Sequence, residues 1–335
     1  MLISTIFAKR KLAMGLMVVT LLALLLAPQF LSGRSMVTLL TILMYVILTL
    51  SWTMFSGPTR LVSLATAALF GMGVYTSAAF EGALPLPVIV AIGALLSLVL
   101  ALLIGVLTLR LRGVYFILFT FGVSALVRNV VQYWEARVSL TVGRHVPGLP
   151  NETLYYYAVA IFALTILAAF LLRDTSLGMA LAGIGDNEDA AAHIGIDVTR
   201  AKVFTFAGSA IFMGAIGAVM ASRFRYIEPA IAFNPLISFL PVLMAIFGGV
   251  TRLWGPILGA VIFTLLQHFL ITEYPYVYLL IFGLTLIAVI AYLPGGLAEI
   301  SERNYYKLKG KYLFRKFWLT MKYREWRDRR EWRDI

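Results

Sequence analysis

The sequence predicts an all-α protein that crosses a membrane many times. Of its 335 residues, 61% are hydrophobic and 13% are charged, with a mean hydropathy of +0.90. A soluble protein of this length does not need that much apolar surface. Ten apolar stretches alternate with short polar connections. Because backbone groups in lipid must be satisfied within the chain, these stretches are expected to be helices and not an open sheet.

Each apolar stretch except the shorter 236–251 has about the twenty residues that a helix needs to cross the hydrocarbon core. No cleavable signal is evident, because the first stretch is long enough to span and no small-x-small pattern follows it. Residues 1–300 are therefore predicted to form a transmembrane domain and residues 301–335 a tail. The predicted spans are 12–33, 35–55, 61–80, 87–109, 113–132, 154–172, 203–222, 236–251, 254–272 and 276–293.

The positions of Lys and Arg predict the orientation. With the N-terminus in the cytoplasm, 22 of the 28 Lys and Arg residues fall on the inside and 6 outside, and the excess survives when the tail is left out. Positive residues favour cytoplasmic connections. Both termini and the polar loop 173–202 are thus expected in the cytoplasm, where the basic, aromatic tail would also contact anionic lipid headgroups.

The loop 173–202 is predicted to carry a short helix on the inner membrane surface. Asp186 or Asn187 can cap its first turn, because either side chain accepts hydrogen bonds from free backbone amides. Glu188 and Asp189 then place negative charge at the positive end of the helix dipole.

The rest of this short helix is small. Ala190, Ala191 and Ala192 supply helix propensity with almost no bulk. Gly195 stands where a residue of positive φ ends a helix, and Ile196 follows as its apolar partner. Such a capped helix makes a knob that fits a groove on another protein, although a plain connector explains the same residues.

Ionisable residues are nearly absent from the predicted spans. Arg128 is expected near an outer end and His268 near the end of its span, with no Asp, Glu or Lys at mid-membrane. This argues against a proton-coupled carrier, whereas a sodium site built from backbone carbonyls stays open. The chain also lacks a phosphate-binding Gly-x-x-x-x-Gly-Lys-Ser/Thr loop, so ATP would have to act through another polypeptide.

Catalysis and metal binding have no visible basis in the sequence. There is no Cys, and the three His residues are scattered. No nucleophile–base pair or paired carboxylates stand out. We therefore expect no catalytic site, metal or cofactor, and no nucleic-acid role for the tail. The long outer connection 133–153 is either a lid or docking surface for a partner, or a simple connector.

Several motifs resemble known transport proteins. The order Asp189-Ala190-Ala191-x-x-x-Gly195 resembles the Glu-Ala-Ala-x-x-x-Gly loop of bacterial ABC importer permeases, which docks onto the ATPase subunit. Asp189 replaces the usual Glu, Thr205 stands where the longer motif has Ile, and Ala207-Gly208 stand where it has Leu-Pro.

Four further stretches resemble branched-chain amino-acid permeases of the LivM type: 63–80 (SLATAALFGMGVYTSAAF), 108–116 (TLRLRGVYF), 248–260 (GGVTRLWGPILGA) and 293–298 (LPGGLA). Together with the loop 173–202, they cover roughly residues 55–300. The chain departs from the family pattern where Ala65 and Thr66 replace Gly-His and where Thr251 replaces a Gly. In the outer loop, Gly143-Arg144-His145 replaces the Gly-rich turn that family members often have.

The resemblance implies two groups of functional residues. The ATPase-coupling group would be Glu188, Asp189, Ala190, Ala191 and Gly195. The substrate pathway would include Gly71, Gly73, Tyr75, Tyr115 and Phe116. Tight helix packing is the favoured interpretation of each of the two glycines, and an interfacial anchor beside Arg110 and Arg112 is an equally good account of Tyr115.

The resemblance also implies a function and partners. The chain would be a permease subunit of an ABC importer in a bacterial or archaeal cytoplasmic (inner) membrane. It would work with a homologous second permease, two ATP-binding subunits, a periplasmic or extracellular substrate-binding protein and membrane lipids. The expected substrate is a branched-chain or other small amino acid. Permeases for urea, amides or small carboxylates, an ion-coupled secondary transporter and a scaffold or sensor remain alternatives.

Overall fold

The computed structural model describes residues 15–287, apart from 16, 31–32, 81, 112, 140–142, 251–252, 275–276, 278–279, 282, 285–286. Most of the predicted span 276–293 and the whole tail 301–335 lie outside the described residues. The described chain is mainly helical, which confirms the predicted class. Its helices are α1 (Met17–Gln29), α2 (Gly33–Thr59), α3 (Thr66–Phe80), α4 (Leu86–Thr108), α5 (Val114–Trp134), α6 (Asn151–Arg173), α7 (Ser176–Asp186), α8 (Glu188–His193), α9 (Val198–Phe224), α10 (Pro229–Ala232), α11 (Leu236–Gly248) and α12 (Trp254–Glu273).

Within the described residues, seven helical segments are long and apolar enough to cross a membrane. They correspond to the predicted spans that begin at 35, 87, 113, 154, 203, 236 and 254. The predicted spans 12–33 and 61–80 contain the shorter helices α1 and α3. The predicted count of ten spans is therefore not established by the structure.

The predicted span 61–80 is only partly helical. Helix α3 has 15 residues, a length of about 22 Å against the ~30 Å hydrocarbon core. The chain before it, 60–65, is irregular. Its backbone is satisfied by distant side chains: Ser124 Oγ and Ser238 Oγ donate to the carbonyl of Leu64 at 3.0 and 2.7 Å. Irregular backbone at membrane depth is tolerated when protein groups replace the missing helical hydrogen bonds.

Helix α9 lies at the centre of the described helices and packs closely against α3 and α4. A methyl group at Gly73 would overlap the carbonyl oxygen of Gly214, and one at Gly217 would overlap that of Phe70. Gly214 in turn leaves room for Ser97 of α4. Glycine at these contacts lets helix backbones approach closely, which is how many membrane helices associate.

A short two-stranded sheet joins the connection between α5 and α6 to the connection between α9 and α10. Strand β1 (Arg144–His145) pairs antiparallel with β2 (Tyr226–Ile227), and the register places Arg144 opposite Ile227. A π-helical turn, Glu135–Ser139, continues α5 before β1. The segment 144–146 is therefore attached to the chain that follows α9.

The predicted orientation gives a direct topology test. Reporter fusions after residues 82 and 148 should read outside, and a fusion after 190 should read inside, because Lys and Arg are concentrated in the connections expected to be cytoplasmic. The measurement is paired alkaline phosphatase and green fluorescent protein activity in cells. An outside signal at 190 would exclude any cytoplasmic role for α8.

Candidate functional site

Helix α8 has the caps that its sequence predicts. Asn187 is the N-cap, with Oδ1 accepting a 3.0 Å hydrogen bond from the backbone N–H of Ala190. At the other end, Gly195 has φ +89°. The amide of Gly195 donates to Ala192 O at 3.0 Å, and that of Ile196 donates to Ala191 O at 3.1 Å. This is the Schellman arrangement, which reverses the chain direction sharply after the helix.

The two alanines predicted to face a partner do not share a face. Ala191 is buried against Leu181, Ile184 and Ala201, whereas Ala190 is exposed. The expectation that Ala191 would contact another protein therefore needs revision, since its methyl group already packs inside this chain. Asp189 and Gly195 are exposed, as are Ala192, His193 and Ile194, and Ile194 is 79% exposed.

Glu188 also points into the protein. Its Oε2 lies 2.7 Å from Nζ of Lys202, a lysine only 1% exposed on the first turns of α9. The two atoms are close enough for an ion pair, but their angles do not meet the geometry of a hydrogen bond. This ion pair fixes α8 onto α9. Of the five predicted coupling residues, Glu188 and Ala191 thus hold the helix in place.

Helix α7 packs against α8 and holds it in place. Thr175 caps it by accepting a 3.1 Å hydrogen bond from the amide of Gly178. Gly185 touches the carbonyl of Pro58, so α7 lies directly against the end of α2. Asp186, the other predicted cap of α8, instead pairs with Arg60 at 2.6 Å. Both side chains are about 70% exposed, so this pair adds little stability.

The five predicted pathway residues do not converge on one surface. Gly71 makes room for the ring of Phe233, and Gly73 lies in the contact with α9. Phe116 is buried, whereas its neighbour Tyr115 is 75% exposed. Helix packing therefore accounts for both glycines in this structure, and only Tyr115 of the five presents a largely exposed side chain.

Tyr75, the fifth pathway residue, belongs to a buried polar cluster that sequence reasoning missed. Glu135 has no exposed side-chain surface and accepts three hydrogen bonds. The donors are Tyr75 O–H, the amide of Gly143 and Nε of Arg144, each at 3.1 Å. A buried carboxylate needs such donors to remain charged. The cluster joins α3, the π turn and β1.

The surroundings of this cluster are aromatic. The Arg144 guanidinium lies 5.4 Å from the ring centroid of Trp134, and the ring of Tyr75 stacks on that of Phe233 at 5.5 Å. Gly143, with φ +93°, passes under the hydroxyl of Tyr226. These contacts make 143–146 a fixed part of the fold. The predicted lid role of 133–153 is not tested by the structure.

Two apolar cavities lie along the described helices. One of about 370 Å³ lies between α2, α6 and α7. Another of about 540 Å³ is an open groove along the N-terminal part of α5. In the described part of the chain, no group of three or more His, Asp or Glu side chains could hold a metal ion.

The chain matches the family model described as branched-chain amino acid transport system / permease component over residues 35–290. The chain belongs to this family of ABC-type permeases. Permeases of ABC transporters work with ATPase and substrate-binding partners, and this permease is accordingly a multi-pass inner-membrane protein.

The individual relatives of the permease are named for different substrates. It is 25% identical to the high-affinity branched-chain amino acid transport system permease protein LivM of Salmonella typhimurium, over 88% of this chain and 77% of that protein. It is 29% identical to the xylose transport system permease protein XylH of Haemophilus influenzae, over 36% and 32%. With the autoinducer 2 import system permease protein LsrC of an Enterobacter strain, it shares 23% identity over 91% and 92%. No solved structure matches the chain.

Proposed function

We propose that this permease forms part of the translocation path for a branched-chain or other small amino acid. The observation that carries the proposal is the match to LivM, at 25% identity over 88% of the permease, together with the family model over residues 35–290, whose description also refers to branched-chain amino acids. The matches to the xylose and ribose permeases cover only 33–36% of the permease, and the match to LsrC, which covers 91%, has a lower identity of 23%. Family membership also argues against the ion-coupled carrier considered earlier. Urea, amides and small carboxylates remain as substrate alternatives within the family.

Uptake by the assembled complex tests this proposal. The permease is co-expressed with the ATPase, second permease and binding protein proposed as its partners, and the complex is reconstituted into proteoliposomes. We expect ATP-dependent accumulation of leucine, while xylose and ribose stay outside. Accumulation of a sugar without leucine would reject the amino-acid assignment and leave the transport role intact. Liposomes that lack the permease are the control.

We further propose that α8 is the element that contacts an ATPase subunit. Support comes from its rigid capping, its ion pair to α9 and its exposed outer face. That face, formed by Asp189, Ala190, His193 and Ile194, is called the α8 patch below. An isoleucine left 79% exposed on a polar surface is suited to burial in a partner groove, where an apolar anchor contributes most to binding.

Changing Ile194 to Asp should uncouple the complex without unfolding the permease. A charge at an anchor position must be desolvated on docking, which opposes binding, whereas an exposed side chain contributes little to folding. We expect loss of binding-protein-stimulated ATP hydrolysis with normal membrane insertion. Ile194→Val is the matched control and should keep stimulation. Full stimulation of ATP hydrolysis in the Asp variant would show that α8 is only a connector. Ala191 is not a suitable position for this test. A tryptophan there would collide with Leu181 and Ile184 of the same chain and would disturb folding as well as docking.

A further inference from the structure

A third, much smaller cavity lies where α2, the start of α3 and α9 meet. Its volume of about 10 Å³ is close to the ~10–15 Å³ that a single water molecule requires on the same scale. Two hydroxyls of its lining residues, Ser56 Oγ and Thr66 Oγ1, are buried and have no hydrogen-bond partner in the part of the chain that the structure describes. The cavity therefore has the size and the polar groups of a site for a very small ligand.

Ser56 differs from three other buried hydroxyl residues of α2. A serine or threonine inside a helix can donate to the carbonyl four residues earlier. Ser51, Thr53 and Thr59 all make this bond, at 2.6–2.7 Å. The hydroxyl of Ser56 does not make it, although the residue is only 4% exposed. It is therefore turned away from the backbone of its own helix and is available to a ligand in the cavity.

Thr66 has no local acceptor for a different reason. It is the first residue of α3, and the chain before it, 60–65, is irregular. The helical carbonyl that a Ser or Thr side chain uses inside a helix is thus missing at this position. Thr66 is 1% exposed, so bulk solvent does not reach its hydroxyl either. A buried hydroxyl without a partner carries a desolvation penalty, which a shared ligand in the cavity would remove for Thr66 and Ser56 together.

The lining of the cavity fits water better than a cation. Ser63 and Ser209 add two further hydroxyls. Ser209 Oγ donates to Phe206 O at 2.8 Å, which leaves its lone pairs able to accept. A buried water makes two to four hydrogen bonds, and hydroxyls can both donate to it and accept from it. None of the described lining residues is a carboxylate, so a cation would be buried here without a countercharge.

We propose that this cavity binds one ordered water molecule, which bridges Ser56 Oγ and Thr66 Oγ1 and so joins α2 to the start of α3. The site goes beyond the proposed transport function and does not depend on the substrate. Trp52 Nε1 of α2 already donates to Ser63 O at 2.8 Å. Helix α2 would then hold the chain that leads into α3 at two points, one through a direct hydrogen bond and one through water.

The sign of a stability change tests this inference. The full-length permease is purified in detergent, and its apparent melting temperature is followed by fluorescence-detected size exclusion after heating. The variants are Ser56→Ala, Thr66→Val and the double variant. We expect each single change to lower the melting temperature by about 2–4 °C, because the water and the remaining hydroxyl both lose a partner. The double variant should lose less than the sum of the two, because both changes remove the same bridge.

The matched control is Thr264→Val in α12. Thr264 is also buried, and its Oγ1 also has no hydrogen-bond partner among the described residues, but it does not line this cavity. Removing a hydroxyl that gains nothing from a ligand relieves a desolvation penalty. We therefore expect Thr264→Val to melt at or above the temperature of the parent, which is the opposite sign to Thr66→Val.

Three results would overturn the inference. A Thr66→Val protein that melts at or above the parent's temperature would show that its hydroxyl has no ligand. Additive losses in the double variant would show that Ser56 and Thr66 have separate partners and share no water. The third comes from repeating the measurements with choline chloride in place of sodium chloride. A melting temperature that falls in choline for the parent, but not for Thr66→Val, would assign the cavity to a sodium ion.

Discussion

A valine at Gly73 should abolish the folded form of the permease. The added side chain would overlap the backbone carbonyl of Gly214, and a backbone atom in the centre of a helix packing cannot rotate away as a side chain does. Added volume in a packed core commonly costs about 1–3 kcal/mol and occasionally more. We expect a cost at the upper end of this range or beyond it, because Phe233 packs against Gly71 on the other side of α3 and leaves this helix no room to shift. Fluorescence-detected size exclusion of tagged protein should show loss of the monodisperse peak.

The matched control is Gly208→Val in α9. A side chain at Gly208 meets nothing within 4 Å, so this variant should elute like the parent. A monodisperse Gly73→Val protein with the parent's melting temperature would mean that α3 and α9 are not in this close contact.

Removing the carboxylate of Glu135 should destabilise the two-stranded sheet formed by β1 and β2. Glu135→Ala leaves Arg144, the Tyr75 hydroxyl and the Gly143 amide without their shared acceptor. Breaking a buried ion pair costs about 3–5 kcal/mol. Arg144 is 28% exposed and can regain water, so we expect roughly 2–3 kcal/mol. Hydrogen–deuterium exchange should show faster exchange at the amide of Val146, which donates to Arg225 O at 2.8 Å, with α9 unchanged.

Two variants make this result specific to the carboxylate. Glu135→Gln keeps an acceptor oxygen without the charge and should fall between the parent and the alanine variant. Arg137→Gln changes an exposed residue of the same π turn and should leave exchange at Val146 as it is. Unaltered protection in Glu135→Ala would show that strand pairing alone holds the two-stranded sheet.

The sequence predicts well those features that depend on neighbouring residues. Hydropathy over about twenty residues predicts a span, and the caps of α8 follow from Asn187 and Gly195, whose partners are within a few positions. The spans and the caps both depend on residues that lie close together in the sequence. The same window does not show which side of α8 faces inward, because Ala191 is buried by Leu181 and Ile184 of a separate helix.

The features that sequence reasoning missed depend on distant partners. The irregular segment before α3 is held by Ser124 and Ser238, which lie 60 and 174 residues from Leu64. Glu135 receives its hydrogen bond from Tyr75 across 60 residues. Helix α5 continues through Trp134 into the π turn, past the predicted end of its span at 132. Hydropathy does not locate a helix end when a polar residue such as Glu135 is buried beyond it.

The ion pair between Glu188 and Lys202 gives α9 a mechanical role. This helix has 27 residues, a rod of about 40 Å, which begins directly after the α8 turn and ends beside β2. It contains no proline and is tightly enclosed by its neighbours along most of its length, so it has little freedom to bend on its own. A tilt or axial shift imposed at the α8 end of this helix would therefore be transmitted to the two-stranded sheet that carries Arg144 and Tyr226. Helix α9 thus connects α8 to the sheet as one rigid rod and not as a relay of separate contacts.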